Sequence, residues 1–188
     1  EGAALMTETT FEEQFQGTAS DLIPNETLAK VMQAQFYEAV PLQFNDEELQ
    51  FAEKIFETLD LESKATAHKI LTPEQKEELG DKRLTNFVTP MAPEGILYGS
   101  TDVGDVSWIT PTVQCTTAGL VLGTPLHTWQ VVTVGNTSIA HKGMLYAAEI
   151  MARTAINCMG NPSIIKEAKQ ELETRLNGEQ YISLIPAE

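Results

Sequence analysis

A chain of 188 residues with 42% hydrophobic residues can bury a core and reads as one globular domain, or one domain with a fragment of a second. Its formal charge of -15 excludes nucleic acid and anionic membrane surfaces as partners, because both repel such a surface. No apolar run approaches the roughly 18 residues a membrane-spanning helix needs, and no signal-peptide pattern opens the chain.

In chain order, the first twenty residues read as a helix end over 2–6 and a strand over 9–16. There Thr10, Glu12, Gln14 and Gln16 oppose Phe11 and Phe15. Alone this strand cannot bury its apolar face, which suits the end of a neighbouring domain. The start at Glu1 rather than at a Met fits a piece of a longer protein. Asn25 is a good N-cap for a helix with Leu28, Val31, Met32, Phe36, Ala39 and Val40 at helical spacing, ending before Pro41. Asn45 caps a second helix, with Asp46, Glu47 and Glu48 where the helix dipole favours negative charge and Leu49, Ala52, Ile55, Phe56 and Leu59 as its core stripe. Both helices are expected on the outside of a sheet.

Residues 60–71 read as a polar connector in which His68 is solvated. Thr72-Pro73-Glu74-Gln75 then combines a cap, a proline suited to the first helical position and a capping-box glutamine, with Gly80 as the stop. From 84 to 134 the texture changes to Val, Thr, Ile and Trp with frequent Gly and Pro, the mark of strands and functional loops. The best strands are 113–120 and 129–134. Two helices close the chain. The first runs over 138–159 with Ile139, Tyr146, Ala147, Ile150, Met151, Thr154, Ala155 and Cys158 inward. The second is capped by Asn161 with Pro162 at its first position, carries Ile164, Ile165, Ala168, Leu172 and Leu176 inward, and stops at Gly178. Helices, then strands, then helices predict an α/β fold, a sheet flanked by helices.

Residues 1–80 hold 17 of the 27 acids and 5 of the 12 bases, and no Lys or Arg lies between Arg83 and Lys142, although Glu94, Asp102, Asp105 and His127 do. A stretch so short of cations is a buried sheet, the wall of a site where a metal supplies positive charge, or both. His127 follows Gly123-Thr124-Pro125 in a loop, a setting for a ligand, a general base or a hydrogen-bonded structural histidine. His141 falls in the first turn of the long helix, where a neutral imidazole donates a hydrogen bond or packs. Asp102 and Asp105 flank Gly104. Such a pair binds a cation, orients a ligating histidine, or caps a turn. Cys115 and Cys158 sit in apolar patterns and read as buried free thiols in a reducing compartment. No nucleophile elbow and no Gly-rich loop with a lysine is present.

Three blocks carry a resemblance: Gly99-Ser100-Thr101-Asp102-Val103-Gly104-Asp105-Val106-Ser107-Trp108 with Pro111, then Gly123-Thr124-Pro125-Leu126-His127-Thr128-Trp129, then Ile139-Ala140-His141-Lys142-Gly143-Met144. Together they resemble the C-terminal part of the zinc-dependent amidohydrolase and metallopeptidase family related to aminoacylases. Gly2-Ala3-Ala4-Leu5-Met6-Thr7 and Asp21-Leu22-Ile23-Pro24-Asn25 resemble the return from that family's inserted lid. The resemblance implies that 1–20 end a lid and dimerisation domain and that 21–188 are the C-terminal part of a catalytic domain. It implies a cytoplasmic enzyme, a homo-oligomer in full-length form, that uses a divalent metal, zinc, to cleave N-acyl amino acids such as p-aminobenzoyl-glutamate, a folate catabolite. His127 inherits the role of a late metal ligand. The other ligands and the general-base glutamate belong to the N-terminal half, so the metal site is incomplete in this chain and the chain alone is expected to be inactive. In related amidohydrolases the acidic loop reads Ser-Glu-Asp-Phe, against Ser100-Thr101-Asp102-Val103 here. The glutamate's role does not carry over, and Asp102, Asp105 and His141 stand as candidates to orient a ligand or touch substrate. The alternative is a stand-alone acidic ligand-binding or interaction domain without catalysis.

Overall fold

Local capping starts several of the helices. Asn45 accepts from the Glu48 amide at 2.9 Å while the Glu48 carboxylate reaches back to the Asn45 amide at 2.8 Å, and Thr72 and Gln75 repeat this reciprocal pattern. Each exchange satisfies two amides that the first turn leaves without partners. Asn25 accepts from Leu28 at 3.0 Å and donates to the Ala168 carbonyl at 2.9 Å, so one buried side chain both caps a helix and ties it to another.

The computed structural model describes residues 1–69, 71–91, 95, 99–183 and 185, the side chains of 67–69 excepted. The order among these is α1 (Gly2–Met6), α2 (Glu26–Glu38), α3 (Asp46–Glu57), α4 (Leu61–Lys69), α5 (Pro73–Leu79), α6 (Val103–Ser107), α7 (Trp129–Gly135), α8 (Ser138–Gly160) and α9 (Pro162–Leu176).

The expected α/β architecture is overturned: the described residues form helices and irregular segments and no strand. Residues 9–16 are irregular and exposed, with Phe11 and Phe15 open to solvent. Residues 129–134, read as a strand for their valines, form α7, because packing of Val134 into the core outweighs a β preference of a few tenths of a kcal/mol per residue. The expected connector 60–71 contains α4, started by Asp60 accepting from the Ser63 amide at 2.7 Å. The side chain of His68, and Glu94, lie outside the described residues.

Residues 113–117 do keep a two-residue rhythm, which is lost over 118–120: Val113, Cys115 and Thr117 are half-buried, while Gln114 and Thr116 are exposed. Their neighbours are helices rather than strands. Val113 packs among Leu28, Met32, Ile150 and Cys158, so the segment lies against α2 and α8. Thr117 donates to the Gly143 carbonyl at 2.8 Å, and a Cβ on Gly143 would lie 2.8 Å from both the Ala118 carbonyl oxygen and the Gly119 Cα. Glycine at 143 is what lets the extended chain cross α8 this closely.

Two bodies of core result. In one, α2, α8 and α9 pack pairwise around Leu28, Met32, Ile150, Cys158 and Ala168, and Phe36 meets Tyr146 edge-on at 5.8 Å. In the other, the α3 stripe of Ala52, Ile55, Phe56 and Leu59 closes on Leu84, Val121, Val134 and Ile139. Arg83 lies 4.0 Å over the Phe56 ring and bonds Glu53 at 2.9 Å, covering that core's edge. Expected inward residues Val40, Met151, Ala155 and Ile165 are instead exposed, and the Asn161 side chain donates to the Asn157 carbonyl rather than capping α9.

Candidate functional site

His127 occupies the turn from Pro125 to Thr128, where the Thr128 hydroxyl donates to the Pro125 carbonyl at 2.9 Å. Its φ is 62°, in the left-handed region that residues with a Cβ seldom adopt, and the residue is exposed. The turn therefore holds an imidazole out from a fixed backbone. The flanking α7 is anchored by Gln130, which donates to Thr58 at 3.3 Å, and by fully buried Val134.

Asp102 precedes α6 without capping it and is exposed. Asp105 is differently placed. Its Oδ1 accepts from the Ser20 hydroxyl at 2.7 Å and from the Tyr181 phenol at 3.1 Å, joining residues near both ends of the chain. The Ser20 hydroxyl holds the Asp105 carboxyl below its usual range, and burial together with Asp105 pushes the Tyr181 phenol up. The rest of α6 is locked to the same N-terminal stretch. Ser107 accepts from the Ile23 amide at 2.8 Å, Trp108 donates to the Asp21 carbonyl at 2.9 Å, and Gly104 lies against the Ser20 carbonyl with no room for a Cβ.

His141 is exposed in the first turn of α8, with its amide bonded to the Thr137 carbonyl at 3.1 Å. Among the described residues no hydrogen bond or ion pair joins any two of His127, Asp102, Asp105 and His141, and no three His, Cys, Asp or Glu side chains gather as a metal-binding group. The described residues do not by themselves make a metal centre. Of the four side chains, Asp105 is the one bonded to partners among the described residues.

A polar node that sequence reasoning passed over sits next to His141. Glu48, buried at the start of α3, accepts from Ser138 at 2.6 Å and from Lys142 at 2.7 Å as well as from the Asn45 amide. Burial pushes its carboxyl up, but these donors outweigh it and the net shift is downward. The Asn-x-x-Glu spacing signals its capping half. The link to α8 has no sequence signal.

A cleft of about 980 Å³ opens between α2, residues 85–91 and residues 113–124, with Met32, Phe36, Cys115 and Tyr146 among its walls. It is in the size range of small-molecule sites. Among the described residues that line it none is Lys or Arg, so these offer apolar and neutral polar surface rather than charge neutralisation. At its rim Thr124 has a buried hydroxyl without a partner among the described residues, three positions ahead of His127. Burial pushes the Cys115 thiol up, away from a nucleophilic thiolate, and neither cysteine is paired. No described helix is long and apolar enough to cross a membrane.

No protein-family profile and no solved structure matches the chain. Among curated proteins it is similar, at 41% identity over 99% of its own length, to a subunit of the p-aminobenzoyl-glutamate hydrolase of Escherichia coli (strain K12), and it spans 40% of that relative's length.

Proposed function

We propose that the chain is the C-terminal part of a metal-dependent amidohydrolase that cleaves the amide bond of N-acyl amino acids such as p-aminobenzoyl-glutamate, and that it is inactive alone. The observation that carries this reading is the 41% identity, over nearly the whole chain, to a hydrolase subunit named for that substrate. The positive-φ turn that presents His127 supports it. His127 supplies one ligand to a divalent ion, zinc, and the remaining ligands lie upstream. The described walls of the cleft, apolar and neutral polar, suit the aromatic acyl half of such a substrate better than its carboxylates. Exposed Asp102 and His141 are free to meet substrate, whereas Asp105 acts by fixing the loop between Ser20 and Tyr181. The relative's name marks it as one subunit of an enzyme, so the assembled enzyme is oligomeric, and two unpaired cysteines fit a reducing cytoplasm.

The test is His127→Ala in a polypeptide that carries this chain behind its own upstream coding sequence, with bound metal and amide hydrolysis measured together. The expected result is loss of about one metal equivalent and a rate fall of about a hundredfold or more, in line with removal of a direct ligand. Unchanged metal content and unchanged rate would refute the ligand role. A longer polypeptide that binds the acyl amino acid without hydrolysing it would favour the alternative, an acidic binding domain.

A further inference from the structure

The long helix α8 is apolar on two opposite sides. Ile139, Gly143, Ile150, Thr154 and Cys158 form its buried face. With 3.6 residues per turn, the exposed side runs from Met144 and Met151 on its flank round to Met159, Leu145 and Ile156 opposite the buried face; these five are 62%, 52%, 75%, 64% and 64% exposed, with alanines and His141 between them. The charges of the helix, Lys142, Glu149 and Arg153, are confined to one flank, and no charged residue interrupts the outer face. A helix apolar all round is ordinarily buried, and a contiguous apolar strip of this kind marks an interface.

Two observations bear on what covers it. The chain spans 40% of the length of its relative, so most of that protein has no counterpart here and needs a surface on which to meet this portion. A second copy would bring another -15 against the first, and a face with no acid of its own has no attraction for a basic partner.

We propose that the outer face of α8 is the surface on which the upstream portion of the same polypeptide docks. The proposal rests on reading the chain as the C-terminal part of a longer enzyme. The three methionines on the face report on it directly, because a thioether oxidises only where peroxide can reach it.

The experiment is peroxide oxidation read by mass spectrometry, with buried Met32 as the internal reference. In the isolated chain Met144, Met151 and Met159 should oxidise about tenfold faster than Met32. In the longer polypeptide, with its own upstream sequence, all three should slow by about fivefold or more. Met151→Glu should leave the melting temperature of the isolated chain unchanged and lower that of the longer polypeptide. Oxidation in the folded longer polypeptide at the isolated-chain rate overturns the proposal. Protection in the isolated chain that grows with concentration as its mass doubles also overturns it, in favour of a second copy, as does a reading frame that starts at Glu1. Hydrolysis without protection defeats the docking surface and leaves the enzyme reading standing; protection without hydrolysis does the reverse.

Discussion

Glu171→Gln probes how the helices are joined. The first amides of α2 have no acceptor within their own helix. Glu171, on α9, accepts from the Glu26 amide at 2.7 Å, the Thr27 amide at 2.9 Å, the Thr27 hydroxyl at 2.8 Å and Arg175 Nε at 2.9 Å. Burial pushes this carboxyl up, but the donors outweigh it and leave its pKa at about 2. The side chain is only 19% exposed, so solvent screens these contacts little. Relative to the ordinary 4.5, the depression corresponds to roughly 3 kcal/mol in favour of the folded state. Because the folded value lies below the unfolded one, this stabilisation is fully present above about pH 4.5 and is lost as pH falls towards 2. Urea unfolding of the wild type and Glu171→Gln from pH 7 to pH 2.5 should give a gap of about 2–3 kcal/mol that holds to about pH 5 and then closes. Other carboxylates titrate in both proteins and cancel in the difference. A gap below about 1 kcal/mol at pH 7, or one that does not change with pH, would refute the cross-helix cap.

Gly143→Ala forces a Cβ against the backbone of 118–119 and should cost about 1–3 kcal/mol in urea unfolding, with release of the segment seen as faster amide exchange at 113–120; an unchanged midpoint would mean the crossing is loose. Lys142→Met leaves the buried Glu48 carboxylate with only Ser138 and the Asn45 amide. It should destabilise by about 1–3 kcal/mol at pH 7, with the gap narrowing as pH falls through the carboxylate range, and a constant gap would assign the loss to packing instead. His127→Gly removes the Cβ at φ 62° and should raise stability by up to about 1 kcal/mol while abolishing the metal equivalent in the longer polypeptide; a fall in stability would show that the ring packs rather than projects.

The sequence by itself determined the features whose physics closes within a few residues. Asn25, Asn45 and Thr72 cap as read, and the α3 stripe from Ala52 to Leu59 is buried as spaced, because a capping bond spans three positions and an amphipathic face repeats every turn. The alternation at 113–117 reads as part of a strand; the burial alternates as read, but the segment forms no strand. Whether that segment joins a sheet depends on a second strand, and here it meets the α2 and α8 surfaces, a matter of partners far away in sequence. Propensity failed at 129–134 for the same reason, since contacts of Val134 with the α3 core settled the helix. The site divides in the same way. His127 stood out in its Gly-Thr-Pro loop, but its positive φ and its exposure had no signal in the sequence. Nothing near Asp105 announces that Ser20 and Tyr181, 85 and 76 positions away, share its carboxylate, because only the closure of both chain ends onto α6 brings them together.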